Sequence, residues 1–279
     1  MTSHAIVERL VDVRDGQLAA CSRAGDGPAL VFLHYWGGSR RTWTPVIEQL
    51  DPRQAFLAYD QRGWGNSAEV PGPYDMTQLA DDAQQVIDTL GGGDYVLVGH
   101  SMGGKVAQLL AARKPAGLTG VVLVAPAPPA PVGQTAALQE LTSHAYDSEA
   151  TVRQSIEVML TNGGLSAALR GQVVEDSLRA HRDARLAWPL HGLVEDVSAG
   201  VGGIEVPVLV LAGRHDKVEP PAVLADHLLP LIPTATLVIL ERTGHLSPLE
   251  VPDQLAAQIA AFTAALPGRP APPERPTRA

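Results

Sequence analysis

The stretch VLVGHSMGGKVAQLL, residues 96–110, decides the fold. A short apolar run ends at Val98, Gly99-His100-Ser101-Met102-Gly103 follows, and a helix-like pattern begins at Met102. The order strand, G-x-S-x-G, helix describes a sharp turn that lifts a serine off the end of a strand. Its glycines let neighbouring chain pack close, and the helix N-terminus puts partial positive charge beside the hydroxyl. A serine alone is a poor nucleophile near neutral pH. Working outward from it means finding a base, an acid to orient that base, and donors for an oxyanion.

The surrounding chain alternates strand and helix. Short apolar segments at 55–59, 95–98, 118–124, 206–211 and 236–240 read as strands, and 30–33 reads as a strand covered on both faces. Residues 6–13 and 18–22 read as a hairpin turning at Asp15-Gly16, with 24–29 as a turn. Helical patterns cover 76–90, 102–114, 221–231 and 251–266. Such alternation predicts an α/β fold, a mostly parallel sheet flanked by helices. The interval 127–203 breaks the rhythm. It opens Pro-rich, has no convincing strand, and shows helical patterns at 134–141, 151–160 and 166–179. It reads as a helical cap inserted into a core made of 1–126 and 204–266, with 267–279 a flexible C-terminal tail.

Composition narrows the class. Of 279 residues, 45% are hydrophobic and 18% charged, as in soluble globular proteins. The 21 Lys and Arg against 30 Asp and Glu give a net charge of −9, which argues against nucleic acid and anionic membranes as partners. The single cysteine, Cys21, makes no internal disulfide, which fits a cytoplasmic protein. The N-terminus carries charges through its apolar part and shows no signal-peptide pattern, and the longest uncharged run, 115–139, contains APAPPAPVG, which does not suit a membrane helix.

The missing chemical partners sit after later strands. His245, in RTGHLSPLEVP, lies between the last strand and the last helix. Loops at the C-terminal edge of a parallel sheet are where ligands meet such sheets. Asp216, in VLVLAGRHDKVEP, follows the preceding strand and would hold His245 in the right tautomer; Glu219 is a nearby substitute. FLHYWGGSRRTW ends a strand at His34 and continues in a glycine-containing loop, so the backbone N–H groups of Trp36 and Met102 are the candidate oxyanion donors. No HExxH, cysteine cluster or close histidine pair implies a metal, and no cofactor is expected.

These pieces, with HYWGG, DQRGWGNS, VGHSMGG, AGRHD and GHLSPLEVP, resemble the α/β-hydrolase superfamily over about residues 30–255. The chain is most similar to its esterases, cofactor-free haloperoxidase-like perhydrolases and carbon–carbon bond hydrolases. The resemblance implies nucleophile Ser101, acid Asp216, base His245 and oxyanion donors Trp36 and Met102. It implies a serine esterase acting on small to medium esters or lactones, with perhydrolysis, carbon–carbon hydrolysis, acyl transfer or non-catalytic ligand binding as alternatives. A serine at this position counts against haloalkane dehalogenase and epoxide hydrolase chemistry, for which the superfamily uses aspartate. The chain departs from many relatives at His34-Tyr35, where they have His-Gly, and at Gly37, often proline. Tyr35 and His34 beside the anion pocket, Trp64 near the channel, and His144 and Trp188 in the cap are the candidate substrate contacts; Tyr146, Met159 and His191 are further cap candidates. DQRGWGNS itself reads as a structural turn held by Asp60 and Arg62. The natural substrate and any homo-oligomer are left open.

Overall fold

The computed structural model describes residues 5–267. Its strands are β1 (Val7–Val13), β2 (Gly16–Arg23), β3 (Asp26–Leu33), β4 (Gln54–Tyr59), β5 (Tyr95–His100), β6 (Leu118–Val124), β7 (Val208–Gly213) and β8 (Ala235–Leu240). They form one sheet in the order β1-β2-β4-β3-β5-β6-β7-β8. β1 and β2 form the expected hairpin, with Asp15 at φ 63° in its turn, and β2 runs antiparallel to β4. Every other pair is parallel.

That order fixes where a site can form. β4 lies on one side of β3 and β5 on the other, so the loops leaving β3 and β5 part from each other. A crevice opens at such a switch point, at the C-terminal ends of the strands. The loop after β3 begins at His34, and the turn after β5 holds Ser101.

The helices are α1 (Thr44–Ile47), α2 (Met76–Leu90), α3 (Met102–Ala112), α4 (Ala136–Ser143), α5 (Glu149–Ser155), α6 (Ala167–Arg179), α7 (Arg182–Ala187), α8 (Pro221–His227), α9 (Ser247–Glu250) and α10 (Pro252–Ala265). α2 is amphipathic, burying Met76, Leu79, Ala80, Ala83, Val86 and Ile87 at helical spacing, and the Asp75 side chain caps it by accepting from Gln78 N–H. Alternate strand residues face opposite layers. Val31 and Leu33 of β3 pack with α2 and α3, whereas Leu30 and Phe32 pack with α1 and α10. The segment between β6 and β7 contains α4 to α7 and no strand among its residues. Its Val152, Ile156, Val173 and Trp188 join the same apolar cluster as α2 and α3.

Elements differ from the sequence reading most clearly in four places. β3 starts at Asp26, inside the expected turn, because Asp26 N–H donates to Arg53 O at 2.7 Å and Ala29 N–H to Asp94 O at 2.9 Å. α8 ends at His227; Pro230 has no N–H to continue it, and Leu229–Leu231 form a 3-10 turn. The helix expected at 151–160 is α5 followed by a π-helical turn, Ile156–Leu160. α7 and the π-helical turn Trp188–Gly192 were not expected; the turn follows α7 directly, and Arg185 O, which Pro189 has no N–H to meet, accepts from Trp36 Nε1–H at 2.9 Å. The tail expected over 267–279 lies, apart from Pro267, outside the described residues.

Candidate active site

Ser101 joins β5 to α3 in a strained conformation, φ 53° and ψ −114°. Neighbouring glycines make the turn feasible. A Cβ on Gly103 would lie 2.5 Å from Leu33 O and 2.6 Å from His34 O, and one on Gly99 would lie 2.4 Å from Gly103 O. Larger residues would push the elbow off the β3 rim. Ser101 N–H donates to Val124 O at 3.0 Å, and Ser101 O accepts from Ala127 N–H at 3.2 Å, so β6 and its loop also hold the turn.

Two further loops meet it. Ser101 Oγ donates to His245 Nε2 at 2.9 Å, and His245 Nδ1–H donates to Asp216 Oδ2 at 2.9 Å. The carboxylate on Nδ1 assigns the proton there and leaves Nε2 as the acceptor facing the serine. Asp216 Oδ1 accepts from Val218 and Glu219 N–H at 2.8 and 2.9 Å, so both carboxylate oxygens are engaged. The Asp216 and His245 loops are zipped together by His215 N–H to Thr243 O at 3.0 Å and Arg214 N–H to Leu240 O at 2.9 Å. Gly213 permits this approach, since a Cβ there would lie 2.3 Å from Gly244 O. All three side chains are buried.

Glu219 does not take the place of Asp216. It contributes its backbone N–H to Asp216, while burial, and then the charge of Asp216, push its own carboxyl well above the usual carboxylate range.

The candidate oxyanion donors are a loop N–H and a helix N–H. Met102 opens α3, where a helix has no internal acceptor for its N–H. Neither Met102 N–H nor Trp36 N–H donates to a carbonyl in the turn and loop hydrogen bonds of the described residues. Trp36 is tied to the segment above by its other atoms. Its ring stacks on Tyr146 with centroids 4.1 Å apart, its Nε1–H donates to Arg185 O at 2.9 Å, and its O accepts from Tyr146 Oη at 3.1 Å.

The remaining candidates are placed unevenly. His34 is fully buried and fully used. Its Nδ1–H donates to Tyr35 O at 2.8 Å, and its Nε2 accepts from Gln61 N–H at 3.0 Å. Burial pushes it below the usual imidazole range. The Tyr35 ring is buried between Gly38 and His100, its centroid 5.0 Å from the imidazole, and burial raises its phenol well above the ordinary range. Trp64 is buried edge-on to His34, and Trp188 is buried against Gly192. His144 is not brought to Ser101. It is exposed at the C-cap of α4, paired with Asp147 at 2.6 Å and Glu140 at 3.2 Å. It lines a cavity of about 100 Å³ with Trp36, Tyr146 and Arg185, whose walls include none of Ser101, Asp216 and His245. A second cavity, about 240 Å³, lies at the opposite rim beside Pro207, Thr234 and Phe262. His191 and Met159 are exposed.

DQRGWGNS does what a structural turn requires, and more. Asp60 accepts from Arg40 N–H at 2.7 Å and Asn66 N–H at 2.9 Å. Arg62 is buried and bidentate to Asp82 of α2, at 2.7 and 2.8 Å. A buried pair with both partners present is costly to break from one side.

One residue at the site was missed from sequence. His100, the first variable position of the elbow, is completely buried, and its Nε2–H donates to His245 O at 2.8 Å. Burial, and then the neighbouring His245, hold it well below the usual imidazole range, so it stays a neutral donor. The available signal was a polar ring at the end of a strand with every residue buried, where it must find a partner.

Among the described residues, no group of three or more His, Cys, Asp or Glu side chains is placed to hold a metal ion. No helix among them is long and apolar enough to cross a membrane.

A family model described as the alpha/beta hydrolase family matches residues 30–258. A pimeloyl-[acyl-carrier protein] methyl ester esterase of Pseudoalteromonas atlantica is 27% identical over 70% of this chain and 79% of its own length. A non-heme haloperoxidase of Rhodococcus erythropolis is 30% identical over 79% of this chain and 86% of its own. The solved esterase of Exiguobacterium antarcticum superposes with a TM-score of 0.82 at 21% identity, covering 93% of this chain and 100% of that one.

Proposed function

Since this chain belongs to the alpha/beta hydrolase family, we propose that within that hydrolytic family it is a serine esterase acting on small to medium carboxylic esters or lactones. The observation that carries the reading is the unbroken series Ser101 Oγ, His245, Asp216, at 2.9 Å per link, set on a strained elbow. Similarity to a named methyl ester esterase supports the ester as substrate class.

Ser101 Oγ attacks the carbonyl carbon as His245 Nε2 takes its proton. Asp216 steadies the imidazolium that forms. The N–H groups of Trp36 and Met102 receive the developing oxyanion. When the tetrahedral intermediate collapses, the ester C–O bond breaks and the alcohol leaves with the proton from His245. Water then gives a proton to the same nitrogen and attacks the acyl-enzyme; the acid departs and Ser101 recovers its hydrogen. The 127–203 segment covers the serine, keeps bulk water from the acyl-enzyme and limits acyl size.

A panel of p-nitrophenyl esters of graded acyl length tests this with wild type and Ser101→Ala. Hydrolysis that peaks at a short or medium acyl chain and falls roughly a millionfold in the variant is expected. Turnover retained by Ser101→Ala would overturn the reading. Similarity to the haloperoxidase favours a second reading, perhydrolysis on the same serine. Peroxide-dependent halogenation exceeding ester hydrolysis would establish it instead.

A further inference from the structure

Glu250, the last residue of α9, accepts four hydrogen bonds in two pairs. Oε2 takes Gly244 N–H at 2.8 Å and the Thr243 hydroxyl at 3.0 Å, both immediately before His245. Oε1 takes Asn162 N–H at 2.7 Å and Gly163 N–H at 3.2 Å, just beyond the π-helical turn of the covering segment. The two stretches touch in other ways. Leu246 N–H donates to Leu160 O at 2.9 Å, and a Cβ on Gly244 would lie 3.0 Å from Thr161 C. One carboxylate thus joins the loop that carries His245 to the edge of the segment above it.

We propose that Glu250 is a positioning residue: its carboxylate sets the His245 loop so that Nε2 faces Ser101, and makes that placement depend on residues 160–163 remaining seated. The inference rests on His245 being the general base proposed above. His245 is then fixed from three directions. Asp216 holds Nδ1, His100 holds the carbonyl, and Glu250 holds the two residues that lead in. Thr243 is fully buried, so without Glu250 the Gly244 N–H loses its acceptor and the Thr243 hydroxyl is left with Gly244 O at 3.5 Å, where water does not readily replace the carboxylate. A loop containing glycine would then relax. Displacing a proton acceptor by about 1 Å costs on the order of a hundredfold in rate, even when the change begins away from the reacting atoms.

The test compares the full chain with Glu250→Ala, Glu250→Gln, Thr243→Val and His245→Ala, assayed on a p-nitrophenyl ester well below the unfolding temperature. Glu250→Ala should lower kcat by roughly 10–100-fold with KM changed less than about threefold. Glu250→Gln should not rescue, because its NH2 faces N–H donors on one side or the other. Thr243→Val, which removes one of the four donors, should lower kcat by less. The downfield proton resonance of His245 Nδ1–H reports placement directly. It should be sharp in wild type, shifted or broadened in the Glu250 variants and absent in His245→Ala. A carboxylate that only stabilises the fold would lower the melting temperature and leave both kcat and that resonance alone, which overturns the proposal. If Glu250→Ala does not fold, Glu250→Gln and Thr243→Val decide it by the same two readouts. His245→Ala separates the two levels. If it is inactive while the Glu250 and Thr243 variants behave as wild type, positioning fails and the base assignment stands. If it keeps wild-type kcat, both fall.

Discussion

The strand ends that present Ser101 and Asp216 belong to β5 and β7, in which every residue is buried, whereas α4, in the segment between β6 and β7 proposed above as the cover, buries none of its eight residues. At the rim, place is set by apolar strands, by glycines that admit close approach and by hydrogen bonds between adjacent loops. The cover shares the apolar cluster, but much of its fit to the rim is polar. Ser39 Oγ donates to Asp176 at 2.9 Å, Ser177 Oγ to Gly37 O at 2.9 Å, and Lys105 Nζ to Gly192 O at 2.9 Å. A neutral hydrogen bond contributes about 0.5–1.5 kcal/mol net and one to a charged group about 1.5–3, so the polar part of the cover's hold is a sum of small terms, whereas the rim is set by its core. Changes at the rim should therefore alter rate by large factors and stability little; changes in the cover should do the reverse.

The largest break comes at the rim. Asp216→Asn keeps the shape but offers His245 the wrong hydrogen-bonding partner. Stopped assays should show kcat lower by about 10⁴-fold with the fold intact. A loss under tenfold would mean the acid lies elsewhere.

The next effect belongs to the cover and appears as pH-dependent stability. Burial raises Asp176 to about 6, with the Ser39 hydrogen bond and Arg41 acting in the opposite direction. The fold then holds a proton on Asp176 that the unfolded chain has already released between about pH 4 and 6. Stability is therefore lost as pH rises through that window, by an amount on the order of 3 kcal/mol when the carboxylate is fully ionised. Asp176→Asn should remove this slope and leave the variant more stable than wild type at pH 7. Denaturant titrations at pH 4.5 and 7 measure it, and an unchanged slope would contradict the assignment.

The smallest effect is Tyr146→Phe. It removes the hydrogen bond to Trp36 O, at 3.1 Å, but keeps the stacked ring. Unfolding free energy should fall by about 1 kcal/mol, and kcat/KM on a short ester should change only a few-fold. A fall comparable to that of Asp216→Asn would mean that the cover, not the rim, governs the chemistry.

The same contrast separates what the sequence made legible from what it did not. Residues 96–110 could be read because strand, glycine, serine and helix are local signals, and the loops carrying Asp216 and His245 each follow an apolar strand that announces itself. Partners across long separations carry no such signal. His100 meets the carbonyl of His245 across 145 positions, and Ser39 meets Asp176 across 137. In the cover, α7 and the π-helical turn Trp188–Gly192 lie beyond the last helical pattern legible in that segment, 166–179. Asp26 to Ala29 looked like a turn by composition and became strand because Arg53 and Asp94 supplied acceptors. Tyr35 stood out as a departure from the resemblance, but its burial against His100 depends on packing that spacing cannot reveal.

The central claim is that Ser101 is the nucleophile activated through His245, and covalent trapping tests it most directly. Wild-type protein treated with a fluorophosphonate and mapped by peptide mass spectrometry should carry one adduct, on Ser101, with labelling abolished in Ser101→Ala and strongly slowed in His245→Ala. An adduct on a different residue, or labelling that persists in Ser101→Ala, would contradict the account.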